Sequence, residues 1–255
     1  MIATVTTLLR PVPAPNEADL VRLWPLSRLR PAGERVVALL LAVDGRIALD
    51  YPLGTRNQRL LAVHQELVRR PVEAHALCPG CGTDNEFTLP VREATELPPA
   101  EADAVARVVV AGVELAFRLP VLADLITVAD RAPADGLHDL ACCTCLDTPV
   151  PRLGADDLGR LADAWSALDP AGSLRVVLSC AECGRAITAD ADPADFVTRD
   201  FDVLVDGLMH EIDVIAGSYG WSEETILALP GARRRRYVRI IAERSSPVRQ
   251  QAGMR

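Results

Sequence analysis

The sequence contains no long apolar run and no segment that resembles a secretion signal. Its longest uninterrupted apolar stretch runs only from Val36 to Val43, whereas a membrane-spanning helix needs about 20 such residues. The beginning of the chain has no basic region ahead of an apolar core. We therefore expect a cytoplasmic protein that does not associate with membranes.

Lysine is absent as well. All 27 basic residues are arginines, and 35 Asp and Glu residues outnumber them, so the net charge is −8. General nucleic-acid binding needs positive charge, because the protein has to neutralise phosphates. The charge balance therefore argues against nucleic acid as the main partner.

Three familiar catalytic motifs are missing: the GxSxG elbow, the Walker A loop and the dinucleotide-binding fingerprint. His210 and Glu211 begin like a metalloprotease motif, but Val214 stands where that motif has its second histidine. We therefore predict that the protein is not an enzyme.

The chain has 255 residues, 49% of them apolar, which suffices for one large or two small domains without disulfides.

Thr55 with Gln58 has the pattern of a capping box, and Asp192 before Pro193 is typical of a helix start. Apolar periodicity predicts helices over 16–24, 34–43, 56–70, 122–129, 138–145, 156–168 and 193–216, one after Ser222 and one from Pro230 to about 243, with strands over 72–77, 86–91, 105–110, 113–118 and 174–179.

Seven cysteines form three CxxC units. The first, Cys78 to Cys81, and the third, Cys180 to Cys183, are each followed by glycine and flanked by strand-like residues, as in a hairpin tip that binds metal. In a reducing compartment clustered thiols are metal ligands more often than disulfides. Two facing tips supply four thiolates, so we predict a structural Zn²⁺ bound by Cys78, Cys81, Cys180 and Cys183.

Other ligand sets, and the absence of any metal, remain open, because 98 residues lie between Cys81 and Cys180 and common zinc modules have linkers of roughly 15 to 20. The middle unit, 142–145, lacks the trailing glycine and lies in a helical stretch, so its thiols are expected to pack as small apolar groups. His75 is an alternative ligand, although a structural histidine is the preferred interpretation. A site built from the outer units would join two distant parts of the chain and leave no position for substrate.

These patterns predict an α+β fold that is mostly helical, with a small antiparallel β region built around a zinc-ribbon-like pair of cysteine knuckles. The predicted organisation is an N-terminal helical segment (1–71), the β region with inserted helices (72–192), a C-terminal helical region (193–245) and a flexible tail (246–255).

The C-terminal region contains the densest basic run, four arginines that precede Tyr237. On a helix these arginines point in different directions, so a solvated face is the preferred interpretation. We favour a core position for Trp221, although Trp and Arg are common at interface hot spots. The candidate partner interface consists of Trp221, Arg234, Arg235, Arg236 and Tyr237.

Two groups of motifs, in this order along the chain, resemble one family. The first group is Gly54-Thr55-Arg56-Asn57, Leu60-Leu61, Cys78-Pro79-Gly80-Cys81-Gly82, Glu86-Phe87, Phe117-Arg118-Leu119-Pro120 and Asp124-Leu125. The second is Asp169-Pro170, Cys180-Ala181-Glu182-Cys183-Gly184, His210-Glu211, Tyr219-Gly220-Trp221-Ser222-Glu223, Ile226-Leu227 and Arg234-Arg235-Arg236-Tyr237. Together they resemble the baseplate hub-assembly, chaperone-like proteins of T-even-type phage tails, in the versions encoded with contractile tail-like injection particles.

The resemblance implies a non-enzymatic component or assembly factor of the baseplate hub, which works in the bacterial cytoplasm or is incorporated into the particle. Its partners would be hub, spike or tube proteins. The chain departs from the family pattern at Cys142, Cys143 and Cys145, which are extra cysteines, and at His64-Gln65, where a more basic pair is expected.

Two other functional classes remain open. The knuckles and the arginine run are compatible with a zinc-ribbon nucleic-acid adaptor, against which the net charge argues. A thiol oxidoreductase would need an exposed, low-pKa cysteine at a helix N-terminus, and only the middle CxxC unit lies near one.

Overall fold

The computed structural model describes residues 16–27, 32–101, 103–129, 131–147 and 150–245. This part of the chain is mostly helical, with small antiparallel sheets of two strands, as the sequence predicts. None of its helices is long and apolar enough to cross a membrane. The helices are α1 (Glu17–Ser27), α2 (Ala32–Asp44), α3 (Leu53–Leu67), α4 (Val91–Glu96), α5 (Leu122–Val128), α6 (Pro133–Thr144), α7 (Ala155–Leu168), α8 (Pro193–Tyr219), α9 (Glu223–Leu227) and α10 (Gly231–Ser245), with short 3₁₀ turns at Gly45–Asp50 and Pro170–Gly172.

The strands form three hairpins: β1 (Glu73–Leu77) with β2 (Asp84–Thr88), β3 (Val105–Val110) with β4 (Val113–Arg118), and β5 (Arg175–Ser179) with β6 (Ala186–Asp190). The sequence predicts a lone strand over 174–179, but this strand pairs with β6, in a register that runs from Arg175↔Asp190 to Ser179↔Ala186. The first hairpin has the same length, from Glu73↔Thr88 to Leu77↔Asp84. The first and third CxxC units therefore lie at the tips of similar hairpins.

The described residues form two units, one over 32–198 and one that combines 16–27 with 199–245. The division falls within α8. The predicted segment 1–71 thus contributes residues to both units, while the predicted tail, 246–255, lies outside the described residues.

The larger unit has one apolar cluster where the β3–β4 hairpin packs against α6 and α7. Phe117 and Leu161 are almost completely buried there, and Trp165 donates its indole N–H to the carbonyl of Arg118 at 3.1 Å. This polar contact satisfies the one donor of the ring, because a buried indole N–H needs an acceptor.

A second cluster in this unit fixes the bases of the two cysteine hairpins. Val72 and Leu89 flank the first hairpin, Leu174 and Ala191 flank the second, and all four pack with Leu61 of α3. The amide of Leu89 donates to Val72 at 2.9 Å, and that of Ala191 donates to Leu174 at 2.8 Å. The two hairpins therefore start from the same apolar layer, although about a hundred residues separate them along the chain.

The start of α3 differs from the sequence prediction. The helix begins at Leu53, so Thr55 lies inside it and the predicted capping box is wrong. Gln58 instead donates its side-chain amide to the carbonyl of Leu97 at 2.8 Å. The amide of Gly54, in the first turn, donates to a carboxylate oxygen of Asp169 at 2.7 Å, so a distant residue caps the helix.

The smaller unit contains α1, α9, α10 and the part of α8 from residue 199 onward. Ile212, Ile215 and Ile226 form its core with apolar residues of α1 and α10. Trp24 packs edge-on against Phe201, with ring centroids 5.3 Å apart, and donates to Asp202 at 2.8 Å. The predicted caps at Asp192 and Ser222 are confirmed, since their side-chain oxygens accept the amides of Ala194 and Thr225.

Candidate metal centre

The two cysteine turns have the same backbone hydrogen bonds. In the first turn the amide of Cys78 donates to the carbonyl of Thr83 and that of Gly82 to the carbonyl of Cys78, both at 2.9 Å. The second turn repeats these bonds at Cys180, Arg185 and Gly184, at 2.9 and 3.0 Å. The two turns are thus two copies of one local structure.

Each turn depends on the glycine that follows its second cysteine. Gly82 has φ of 75° and Gly184 has φ of 68°, in the left-handed region that residues with a side chain enter at a cost. This conformation lets the turn bend around its own cysteine, with the amide of Gly80 3.4 Å from the sulfur of Cys78. The trailing glycines in the sequence are therefore required by the backbone geometry.

Four sulfurs from the two turns converge. The Sγ atoms of Cys78 and Cys183 are 3.6 Å apart, those of Cys81 and Cys180 are 3.5 Å apart, and all four lie within 4.8 Å of one another. A tetrahedron of sulfurs about 2.3 Å from a central ion has edges of about 3.8 Å. The arrangement matches that geometry, and each close pair joins the first cysteine of one turn to the second cysteine of the other.

Electrostatics of the cluster favour a bound cation. The backbone amides of Cys183 and Glu182 donate toward the sulfur of Cys180 and lower the pKa of this thiol to about 6. The pKa of Cys183 is raised to about 11, because the effect of the adjacent Arg185 amide, which lowers it, is outweighed by the sulfurs of Cys78 and Cys81. The pKa of Cys81 is also lowered, by its hydrogen bonds with Thr83. A cation among the four sulfurs would favour the thiolate form of all four cysteines.

Two side chains connect the turns around the sulfurs. Asn85, which is buried on β2, accepts the amide of Ala181 in the other turn at 2.9 Å and donates to the carbonyl of Thr83 at 2.8 Å. The side chain of Arg185 reaches across to the first turn, where its Nε would lie only 2.8 Å from a Cβ placed on Gly80. The two turns thus meet through polar contacts as well as through the cysteines.

The four predicted ligands are the only group of three or more His, Cys, Asp or Glu side chains that the described residues bring into metal-binding proximity. His75, the alternative ligand, is outside this group and pairs with Asp84, with Nδ1 3.3 Å from the carboxylate. The described part of the chain therefore favours the ligand set from the two outer CxxC units.

The middle CxxC unit lies at the end of α6. The prediction that its thiols pack as apolar groups is wrong for Cys142 and Cys143, which are exposed, and holds only for Cys145, which packs against the larger apolar cluster. The sulfur of Cys142 is 3.7 Å from Nε2 of His138, one helical turn earlier. Partial desolvation of the sulfur, followed by the nearby Asp139 carboxylate, raises the pKa of Cys142, so this thiol lacks the low pKa of a reactive cysteine.

The candidate interface residues have different environments. Arg234 is only 1% exposed and donates to Glu17 at 2.6 Å and Glu211 at 2.8 Å, which removes it from the candidate interface because its charge is satisfied internally. Trp221 and Tyr237 are half-buried, and their rings pack edge-to-face, 5.2 Å apart. Arg235 and Arg236 are exposed on α10.

Some parts of the site leave no signal in the sequence. Asn85 of the first hairpin and Ile187 of the second occupy equivalent positions. Only Asn85 links the two turns, and the repeated CxxC pattern does not indicate which hairpin carries this link. The strand β6 follows the third CxxC unit at the same distance as β2 follows the first, and this repetition could have revealed it.

Comparison of the chain with known proteins gave no match to a family model, to a curated protein or to a solved structure.

Proposed function

We propose that the protein is a zinc-binding, non-enzymatic component or assembly factor of the baseplate hub in a contractile phage tail or tail-like injection system. The observation that supports a structural metal is the closed set of four sulfurs from Cys78, Cys81, Cys180 and Cys183. A tetrahedral site with four protein ligands has no open position for water or substrate, and Zn²⁺ is the usual occupant of four cysteines.

The proposed ion is a structural cross-link between the two hairpins. It holds together two hairpin tips whose bases share one apolar layer, so the binding free energy of the metal adds directly to the stability of the larger unit. A rigid, metal-clamped body suits a protein whose task is to present surfaces to other subunits. No step of catalysis is assigned to it.

The baseplate hub enters the proposal through the family resemblance of the motifs. The most specific of them, Tyr219-Gly220-Trp221-Ser222, has a structural part in the smaller unit. Gly220, with φ of 67°, ends α8, and Ser222 caps α9. Trp221 stacks on Tyr219 with ring centroids 5.2 Å apart, so the motif fixes the corner between two helices.

A nearby surface of the smaller unit supports a role in protein binding. Arg235, Arg236 and Arg239 are exposed on α10 and make no ion pair with any described residue, in a chain whose net charge is −8. Arginines that lack internal partners are available to the carboxylates of another subunit. We assign hub, spike or tube proteins of the particle as the partners of this arginine face.

The test is affinity purification of the tagged full-length protein from its native host, with mass spectrometry of the recovered proteins and sedimentation of the lysate. We expect hub, spike or tube proteins in the wild-type sample and their loss in an Arg235→Glu, Arg236→Glu double variant. Arg92→Glu is the matched control, because Arg92 is exposed and pairs only with Glu96 on its own helix. Recovery without any tail protein would refute the proposal.

The same arginine face favours one alternative, a nucleic-acid adaptor. That function predicts tight DNA or RNA binding in a filter assay, with an affinity that falls steeply as salt is raised and that the double variant abolishes. Under the baseplate proposal we expect no such salt-sensitive binding.

A further inference from the structure

A histidine and a cysteine lie one turn apart on the surface of α6. Nε2 of His138 is 3.7 Å from Sγ of Cys142. The cysteine is exposed and the histidine is half-buried, so solvent reaches the pair. Neither residue belongs to the four-cysteine cluster, and the function proposed above uses neither of them.

The helix holds this pair in a fixed place. Between the two side chains along the sequence, Leu140 and Ala141 are buried in the larger apolar cluster. The end of the helix is closed by the amide of Cys145, which donates to the carbonyl of Ala141 at 3.0 Å. A spacing of four residues places two side chains on neighbouring turns of one helix face. The histidine and the cysteine are therefore brought together by packed secondary structure rather than by a loop.

The distance between the two atoms fits a shared metal ion. Zinc binds sulfur at about 2.3 Å and imidazole nitrogen at about 2.0 to 2.1 Å, so two such ligands of a tetrahedral ion lie about 3.6 Å apart. The observed separation of Nε2 and Sγ is 3.7 Å. A cation can replace the hydrogen bond of this pair, with the thiol proton released to solvent. Thiolate with imidazole suits Zn²⁺ and related d¹⁰ cations, whereas Mg²⁺ and Ca²⁺ take oxygen ligands.

The charges around the sulfur also favour a cation. Cys142 lies in the last turn of α6, where the carbonyl groups form the negative end of the helix dipole. The carboxylate of Asp139 is close enough to act on this thiol electrostatically, although it also pairs with Arg131 at 3.2 Å. Both features add negative potential at the position that the cation would occupy.

We propose that His138 and Cys142 form a second metal site, which takes Zn²⁺ or another d¹⁰ cation through Nε2 and Sγ. Two protein ligands leave two positions of a tetrahedron to water or to another exchangeable ligand, whereas the four-cysteine site is closed. The second site therefore binds more weakly and exchanges faster, and it is empty when the protein carries one zinc per chain. It is independent of the four clustered cysteines and of the arginine face on α10.

Calorimetric titration with Zn²⁺ tests the proposal, on reduced, full-length protein that already carries one zinc per chain. We expect one further Zn²⁺ per chain and no competition from Mg²⁺. His138→Ala and Cys142→Ser are each expected to weaken this second binding at least about tenfold, because either substitution removes the chelate. Absence of a second zinc at millimolar concentration, or unchanged affinity in either variant, would overturn the proposal.

Two further variants are matched controls. Cys143→Ser removes an exposed thiol one residue further along α6, and His75→Ala removes a histidine that pairs with Asp84. Both should take up the second zinc like the wild type, and an equal loss in Cys143→Ser and Cys142→Ser would show that the assigned ligand pair is wrong. Metal analysis should find the first zinc in all four variants, so a failure of the second site is distinguishable from a failure of the four-cysteine site.

Alkylation provides a readout that needs no substitution. Excess Zn²⁺ should slow the labelling of Cys142 and leave that of Cys143 unchanged, because only the first of these thiols is coordinated. Equal labelling of Cys142 with and without excess zinc would contradict the proposal.

Discussion

Asp169 caps α3 from a distant part of the chain: one of its carboxylate oxygens accepts the amide of Gly54, 115 residues earlier in the first turn of the helix, at 2.7 Å. The contact is tight, because a Cβ on Gly54 would lie 1.9 Å from the other carboxylate oxygen. Asp169 is 5% exposed, and that second oxygen has no hydrogen-bond partner. The structure therefore places a largely desolvated carboxylate against a helix N-terminus.

This relationship makes the stability of the larger unit sensitive to Asp169. Asp169→Ala removes the acceptor of the Gly54 amide, and we expect a loss of about 1 to 2 kcal/mol in the free energy of unfolding. Asp169→Asn keeps an acceptor and should cost less. Urea unfolding at neutral pH distinguishes the two variants, and equal losses in both would contradict the capping role.

The same residue predicts a pH dependence. Burial raises the pKa of Asp169 above its ordinary value, and the Gly54 hydrogen bond opposes this shift only in part. A raised pKa in the folded state means that the contribution of Asp169 to stability is fully present below its unfolded pKa and is lost as the pH rises through the folded value. Relative to wild type, Asp169→Asn should therefore gain stability between acidic and neutral pH, as urea unfolding across that range would show. If the free energies of unfolding of Asp169→Asn and wild type differ by the same amount at every pH in this range, the prediction is refuted.

Zinc retention tests the four-sulfur site. Cys78→Ser and Cys183→Ser each remove one of four ligands, and we expect both variants to lose zinc and much of their solubility. Cys143→Ser, an exposed position outside the cluster, serves as the control and should be nearly silent. Metal analysis by mass spectrometry and the soluble fraction after lysis provide the measurements. Full zinc content in Cys78→Ser would exclude the proposed ligand set.

Thiol alkylation provides a test that needs no substitution. In the metal-loaded protein we expect modification of Cys143, which is exposed, slower modification of Cys142, whose pKa is raised, and protection of the four clustered cysteines by the ion. After a chelator has removed the metal, Cys81 should also react, because it is exposed and its pKa is lowered by hydrogen bonds with Thr83. Peptide mass spectrometry identifies the modified sites, and rapid labelling of Cys81 before chelation would show that the cluster holds no metal.

Arg234 should matter for folding rather than for binding. Arg234→Met leaves the carboxylates of Glu17 and Glu211 without their buried cation, and we expect a loss on the order of 3 kcal/mol in stability. The adjacent Arg235→Met, at an exposed position, should change stability by less than about 0.5 kcal/mol. Thermal unfolding compares the two, and similar melting temperatures would contradict the internal role of Arg234.

Two glycines with equally open surroundings should respond in opposite ways to alanine. A Cβ at either Gly159 or Gly82 would meet nothing within 4 Å. Gly159 is exposed within α7, where alanine is the better helix former, so Gly159→Ala should stabilise the protein by about 0.5 to 1 kcal/mol. Gly82 has φ of 75°, so Gly82→Ala should destabilise by about 1 kcal/mol. Calorimetric melting of both variants tests whether the two changes in stability have opposite signs.

The two cysteine turns and most helices could be predicted because their signals are local. The CxxC-Gly pattern indicates a turn with positive φ, and apolar periodicity indicates the faces that α3, α7 and α8 bury. Local sequence patterns could not predict the hydrogen bonds and ion pairs that join distant segments. Thr55 and Gln58 have the pattern of a capping box, and only the fold shows that Asp169 takes over the cap. In the same way, no local pattern pairs Arg234 with Glu17, from the far end of the chain.

The distance along the chain between the two cysteine turns affects how the protein is made. Cys180 emerges from the ribosome about a hundred residues after Cys78, which at 5 to 20 residues per second is a delay on the order of 5 to 20 s. During this interval the first hairpin has two thiols and no intramolecular partner for them. On a polysome, the second hairpin of a neighbouring nascent chain can complete the tetrahedron in its place. With the proposed metal bound, we therefore expect slow translation or a high local concentration of chains to favour hairpin-swapped, metal-linked oligomers.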